Sequence, residues 1–366
     1  MATPEIAVVG AGIVGLSVAF ALRERGVAVR VLDPGTPGNA QSGGASRIFR
    51  HAHDDPRMVA AARASRLLWR EWGDRLGIET VSGDGAVAIG DAVPRRLAVL
   101  RDDGGVPARA LDPGELAALL PALAAYEGPA MIDEAGGSIR TEAAVAALVA
   151  ALGDAVVADE VLAVRPRDDG RVEVVAGGGR RTYAGAVVCA GRGTAPLARA
   201  VGVEPPVALA AHIRMTFPVR GPAPDRLPCL QDSSGAFGET GVYAAALPGN
   251  GLYGLGIAET VAAGADGALA DAAGLEALAA RTCAYVARAL PGLDPEPTGA
   301  RACWVTELPW GPDGVAVWPA GGALFLAGHN LFKQAPGLGV ALADMATGAT
   351  PSLDLRPAAR LGAAAG

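Results

Sequence analysis

Lysine is almost missing from this 366-residue chain: of 31 basic residues, all but Lys333 are arginine. Arginine stays charged and forks its donors, whereas the compact lysine ammonium shifts its pKa readily when buried. A genome that favours arginine codons could leave one such survivor. Its place just before Pro336-Gly337-Leu338-Gly339 makes it a candidate functional group instead. Cysteines number four (Cys189, Cys229, Cys283 and Cys303) with no CxxC spacing, which argues against a zinc site or a redox dithiol and for a reducing compartment, the cytoplasm. There is no basic cluster and the net charge is −7, so nucleic acid is not an expected partner. The uncharged run from Ile6 to Leu22 is too short and glycine-rich to span a bilayer, and no positive segment precedes it, so neither membrane nor secretion is expected. With 51% hydrophobic and 19% charged residues a large buried core is affordable, and the length suggests two domains or two interleaved lobes.

What is present begins at the N-terminus. Ile6-Ala7-Val8-Val9 reads as a strand, Gly10-Ala11-Gly12-Ile13-Val14-Gly15 as a glycine turn opening a helix, and Val27 to Asp33 as a second strand. In that context GxGxxG is a dinucleotide fingerprint. Gly10 makes the tight turn, Gly12 lets backbone approach a pyrophosphate, and Gly15 lets helix and strand pack. The helix N-terminus, at Ile13 and Val14, offers N–H groups and partial positive charge to phosphate. Asp33, about twenty residues on, is placed to accept ribose hydroxyls and disfavours a 2′-phosphate. These residues leave FAD and NAD both open.

The rest of the chain bears on that choice. Gly35 to Ser46 is loop-like by composition, Pro56 to Leu76 reads as a helix with Trp69 and Trp72 on one face, and a short helix is expected near Pro113 to Leu120. Thr141 is a candidate cap for a helix ending at Gly153. Ala186 to Gly191 reads as a buried strand returning to the nucleotide sheet, with Ala190 and Gly191 at its cofactor end. Strand-like runs from Val207 to Ile257 suggest an antiparallel substrate lobe. A helix is expected from Asp271 to Leu290, a strand at Ala323–Gly328 and a helix from Gly337 to Thr347. The fold expected is α/β with an α+β substrate lobe: a Rossmann-like nucleotide-binding domain (1–75, 136–206 and 300–366) interleaved with an antiparallel-sheet substrate domain (76–135 and 207–299). A nucleotide domain assembled from separated segments favours a flavoprotein over an NAD dehydrogenase.

Four places carry a family likeness: the fingerprint with Asp33, Ser46-Arg47-Ile48-Phe49-Arg50-His51-Ala52, Arg301-Ala302-Cys303-Trp304, and Phe332-Lys333-x-x-x-Gly337-x-Gly339. From residue 5 to about 348 the chain resembles the monomeric sarcosine oxidase family of FAD-dependent amine oxidases, within the D-amino-acid oxidase group. The resemblance implies FAD, held covalently through Cys303 and contacted by Ser46 and Arg47 and by Gly337, Leu338 and Gly339. It implies that Arg50 and Lys333 clamp a substrate carboxylate beside Tyr243. Lys333, Arg47 and Arg50 are the residues expected to serve catalysis, with His51 and His329 as further candidates near the flavin. A bidentate guanidinium suits a carboxylate on physical grounds. Fixed positive charge near the ring, from Arg47 and the helix start at Gly337, suits a developing flavin anion.

Three departures stand out. Gly254 falls where family oxidases carry a lysine that helps reduce oxygen, Ala258 falls where sarcosine oxidases have histidine, and Glu307 to Asp313 is about two residues longer than the family pattern. The expected activity is oxidation of the C–N bond of a carboxylate-bearing secondary, cyclic or N-substituted amine to an imine, with O2 as acceptor. A dehydrogenase using another acceptor is the alternative, and a non-catalytic flavin-binding protein the remote one. A bacterial, monomeric enzyme acting on a small amine or amino acid, with no metal, is expected.

Overall fold

The computed structural model describes residues 5–264 and 267–363. It has the α/β architecture expected, built on two large sheets. The first has six strands in the order Val315–Ala320, Ala323–Gly328, Gly185–Val188, Glu5–Val9, Ala28–Asp33, Val156–Ala158. Neighbours run parallel except at the edge formed by Val315–Ala320, which is antiparallel to Ala323–Gly328. Its inner strands Glu5–Val9, Gly185–Val188 and Ala323–Gly328 are almost wholly apolar because both faces are covered; Ala7, Val8, Val187 and Val188 have no exposed surface. Helices Ile13–Glu24 and Ala335–Ala346 share one core with Val8, Val31 and Val187. On the other face a three-stranded antiparallel sheet (Val161–Pro166, Val172–Ala176, Gly179–Tyr183) contributes Val164, Val172 and Tyr183 against Ala7, Val9 and Phe325.

The second sheet has nine strands. Its long strand Ala208–Pro218 pairs antiparallel with Leu252–Ile257 on one side, and with Gly299–Glu307 along its whole other flank. Beyond Leu252–Ile257 the sheet continues through Val242–Ala246 and Cys229–Ser233 to Ala86–Gly90 and Ala130–Asp133. Phe217, Leu230, Tyr253 and Leu255 pack with Tyr285 and Val286 of helix Ala272–Ala289. Gly299–Glu307 is therefore a strand of the second sheet, although residues from 300 onward were expected with the nucleotide-binding part.

Local signals explain most boundaries. Pro56–Leu76 starts where Asp55 accepts the Arg57 N–H with proline in the first turn, and stops at Gly77 in the left-handed conformation. Helix Ala335–Ala346 begins two residues before the expected Gly337, because Pro336 is at home in a first turn. Thr141 is not a cap: Arg140 holds that position and the Thr141 hydroxyl donates instead to the Gly44 carbonyl. Strand Ser46–Phe49 pairs with Gly137–Arg140 and carries Arg47 out of the preceding loop.

Candidate active site

The glycine turn is sterically obligatory. Gly10 has φ +103°, and a Cβ there would stand 2.5 Å from the Cys189 carbonyl oxygen; one on Gly15 would stand 2.0 Å from the Gly10 oxygen. The Ile13 N–H at the helix start donates to Ser42 Oγ at 3.0 Å. Asp33 braces the turn: Oδ2 accepts the Ala11 N–H at 2.7 Å and Oδ1 the Gly35 N–H at 2.8 Å. Each oxygen keeps a second lone pair for a further donor.

From this turn a single cavity of about 430 Å³ extends through the molecule. It is lined by Gly12, Ile13, Val14, Arg47, Arg50, Gly191, Tyr243, Cys303 and Lys333, so nine expected site residues converge from six separate segments. Gly10, Gly15, Asp33, Ser46, Ala190, Gly337, Leu338 and Gly339 are not in its wall. For the last three the reason is packing. A Cβ on Gly339 would meet Ser17 backbone at 2.6 Å and one on Gly337 would meet Ser65 Oγ at 2.5 Å, so these glycines bring the helix against its neighbours. Ser46 is also structural: its hydroxyl donates to the Ala245 carbonyl at 3.3 Å and accepts from Arg214 at 3.0 Å. His51 is a core residue, its N–H and Nδ1 both bonded to buried Asp133 and its ring edge-on to Phe49. His329, by contrast, lines the cavity with its ring edge-on to His212 at 6.0 Å.

Two guanidiniums stand in the wall without a carboxylate partner among the described residues. Arg47 donates to the carbonyls of Ser46 (2.9 Å) and Gly43, and burial, reinforced by Arg214, lowers its pKa to about 10. Arg214 donates to the Ser46 and Gly254 carbonyls, and a Cβ on Gly254 would lie 2.9 Å from its guanidinium. The space left by the missing side chain at 254 is thus filled by Arg214. Cys303 faces His212 across the strand pair, and both line the cavity. Burial lowers His212 to about 3 and His329 to about 4, so both rings are neutral at physiological pH, and burial raises the Tyr243 phenol, which bonds His212 Nδ1 at 3.1 Å.

The expected pair Arg50 and Lys333 does come together, but around a third residue. Asp313 Oδ2 lies 3.0 Å from Arg50 Nη2 and 3.0 Å from His53 Nδ1. Its Oδ1 lies 3.2 Å from Lys333 Nζ and accepts the Asn330 amide at 3.1 Å. Burial alone would raise Asp313; Lys333 and Arg50 outweigh it and hold the carboxyl well below its ordinary range. Burial lowers Lys333 to about 8, with Asp313 opposing. Sequence reasoning missed Asp313, His53, His212, Arg214 and Ser42. The one hint was the extra length of the segment ending at Asp313.

The chain matches the profile of the FAD dependent oxidoreductase (DAO) family over residues 5–345. It belongs to that family. Among solved structures, it is similar to NikD, an unusual amino acid oxidase essential for nikkomycin biosynthesis, in its open form (21% identity, TM-score 0.84, covering 97% of this chain and 98% of that one). It is also similar to glycine oxidase from Geobacillus kaustophilus (22%, TM-score 0.80, 97% and 98%) and to L-proline dehydrogenase from P. horikoshii (18%, TM-score 0.81, 96% and 96%). At these identities the likeness is one of fold. No curated protein sequence matched. The family settles the choice of cofactor in favour of FAD, and the bare glycine turn, the Ser42-braced helix start and the cavity leading away from them fit that group. Among the described residues no helix is long and apolar enough to cross a membrane, and no cluster of three or more His, Cys, Asp or Glu is placed to hold a metal ion.

Proposed function

We propose that this FAD-dependent oxidoreductase oxidises the C–N bond of a small secondary, cyclic or N-substituted amine of the amino-acid type to the imine. The observation that carries the reading is the single cavity joining the nucleotide turn at Gly12–Val14 to the Arg50–His53–Lys333–Asp313 cluster. Solved relatives of the same fold include amino acid oxidases and a proline dehydrogenase, which supports a C–N bond as the target. FAD, when bound, supplies a two-electron acceptor ring. The protein's part is to hold and orient. Gly12, Ile13 and the helix start would receive the pyrophosphate, and Asp33 the ribose. Arg47 and Arg214, with no anion of their own, supply fixed positive charge in a dry wall. Cys303 is the proposed point of covalent attachment. The neutral His212–Tyr243 pair gives a hydrogen-bonding surface without placing a charge beside the substrate.

Oxygen is the proposed acceptor. The rival, a dehydrogenase, is favoured by Gly254, over which a packed guanidinium replaces a mobile ammonium. We infer further that the protein works as a cytoplasmic monomer, with its nucleotide and substrate lobes divided near residues 76, 136 and 207 and after Glu307, the end of the strand that pairs into the second sheet. The decisive experiment is anaerobic mixing of the purified protein with a panel of amino acids and secondary amines. Loss of the yellow colour with at least one member supports the reading, and persistence of colour with all of them favours a binding protein. Readmitting air then separates the acceptors: the colour returns within seconds for an oxidase and stays lost for a dehydrogenase.

A further inference from the structure

A carboxylate already sits where Arg50 and Lys333 were expected to receive one. Asp313 gives one oxygen to each cation at 3.0 and 3.2 Å, the arrangement a bound acid would adopt. The cluster is well shielded, with side chains 11% (Arg50), 5% (Lys333) and 17% (Asp313) exposed. A second acid seated there would have to displace Asp313, leaving that charge buried without partners, or share the cations with a like charge; both are costly in a low-dielectric site.

His53 adds an independent observation. An ionised carboxylate only accepts, so His53 Nδ1, 3.0 Å from Asp313, must carry the proton. In the neutral ring Nε2 is then a lone-pair acceptor. Burial, then Arg50, lowers this imidazole to about 3, which keeps it neutral. His53 lines the cavity, is 2% exposed, and its Nε2 has no hydrogen-bond partner among the described residues. A buried acceptor left open beside a cavity calls for a donor from the ligand. A carboxylate has none.

We propose that Asp313 is a specificity-determining residue. As the anion seated on Arg50 and Lys333, it makes this part of the cavity select a neutral hydrogen-bond donor of the substrate, an amine or amide N–H accepted by His53 Nε2, in place of a carboxylate. The inference rests on the amine-oxidation reading for the identity of the ligand, and it narrows that reading: where the substrate carries a carboxylate, Arg50 and Lys333 are not what holds it.

The test uses benzoate and its neutral isostere benzamide as probes and needs no turnover. Because the chain has one lysine, acetylation of Lys333 is read unambiguously by mass on a single peptide. Each probe is titrated for protection of Lys333 in the purified protein as isolated. Benzamide is expected to protect at least as well as benzoate in the wild type. In Asp313→Asn, benzoate should protect at concentrations at least about tenfold lower than in the wild type, the effect of one charge-assisted hydrogen bond gained, with benzamide little changed. A wild-type preference for benzoate overturns the proposal, as does a folded Asp313→Asn protein whose response to benzoate is unaltered. If that variant does not fold, the wild-type comparison decides alone: protection by benzamide at least equal to that by benzoate supports the proposal, and preferential protection by benzoate, or no protection by benzamide, overturns it. Failure of the amine-oxidation reading shows up separately, as a colourless protein or a colour that no amine removes.

Discussion

At the scale of single residues, Lys333 can be followed without interference from any other lysine. Its folded pKa of about 8 lies below the ordinary 10.5. The unfolded chain therefore binds more protons between those values, and this group makes stability rise with pH across that window, at up to about 1.4 kcal/mol per pH unit. The acetylation rate of Lys333 should titrate with a midpoint near 8, and Lys333→Met should remove part of the alkaline rise seen in urea unfolding; a midpoint near 10.5 would contradict the burial described. Cys303 makes a second prediction. Acid precipitation of the native protein should leave the yellow colour in the pellet, and Cys303→Ala should release it to the supernatant. Arg47, Arg50, Cys303 and Lys333 were singled out through the family likeness of the short segments that hold them, and all four line the cavity. The sequence did not show Asp313 or His53, since a loop residue carries no periodicity and the partners of Asp313 lie 17 to 263 positions away. His51 was misplaced because the pattern around it says nothing of ring direction, and its ring turns to Asp133.

At the scale of elements, the Gly-x-Gly after Lys333 read as a helix start beside the flavin, and in the structure its two glycines bring that helix against its neighbours. The helix Ala335–Ala346 packs on Ile13–Glu24 at Gly339 and on Pro56–Leu76 at Gly337. The two glycines should differ in cost. Gly339→Ala drives a methyl into Ser17 backbone, which cannot move alone, and should destabilise by about 1–3 kcal/mol. Gly337→Ala meets only the Ser65 hydroxyl, which can turn away at the loss of its weak bond to Gln334, so the melting temperature should fall less. Equal falls in a thermal melt would mean that the contacts differ from those described. Helices announced themselves through caps and prolines, as at Asp55-Pro56 and at Asp112-Pro113, where a capping box forms. The strands Gly137–Arg140 and Gly179–Tyr183 did not, because their glycines and arginines read as turn and surface rather than alternation.

At the scale of the whole molecule, the fold class and its interleaving were legible because most of the buried strands of the nucleotide sheet are short apolar runs next to a glycine. The placement of Gly299–Glu307 was not, since pairing partners cannot be read from a strand's own residues. The purified protein should be yellow, and a colourless preparation that binds NAD in calorimetry would sink the cofactor assignment. The first sheet also sets a constraint on how the molecule comes into being. Its strand at Glu5–Val9 waits for Gly185–Val188, which in turn pairs with Ala323–Gly328. At ribosomal speeds of 5–20 residues per second, roughly 15 to 65 seconds separate the first of these strands from the last. During that interval the nascent chain displays unpaired apolar edges and no complete dinucleotide site, so chaperones should meet it before FAD does, and ribosome-stalled chains ending before Ala323 should fail to retain the cofactor.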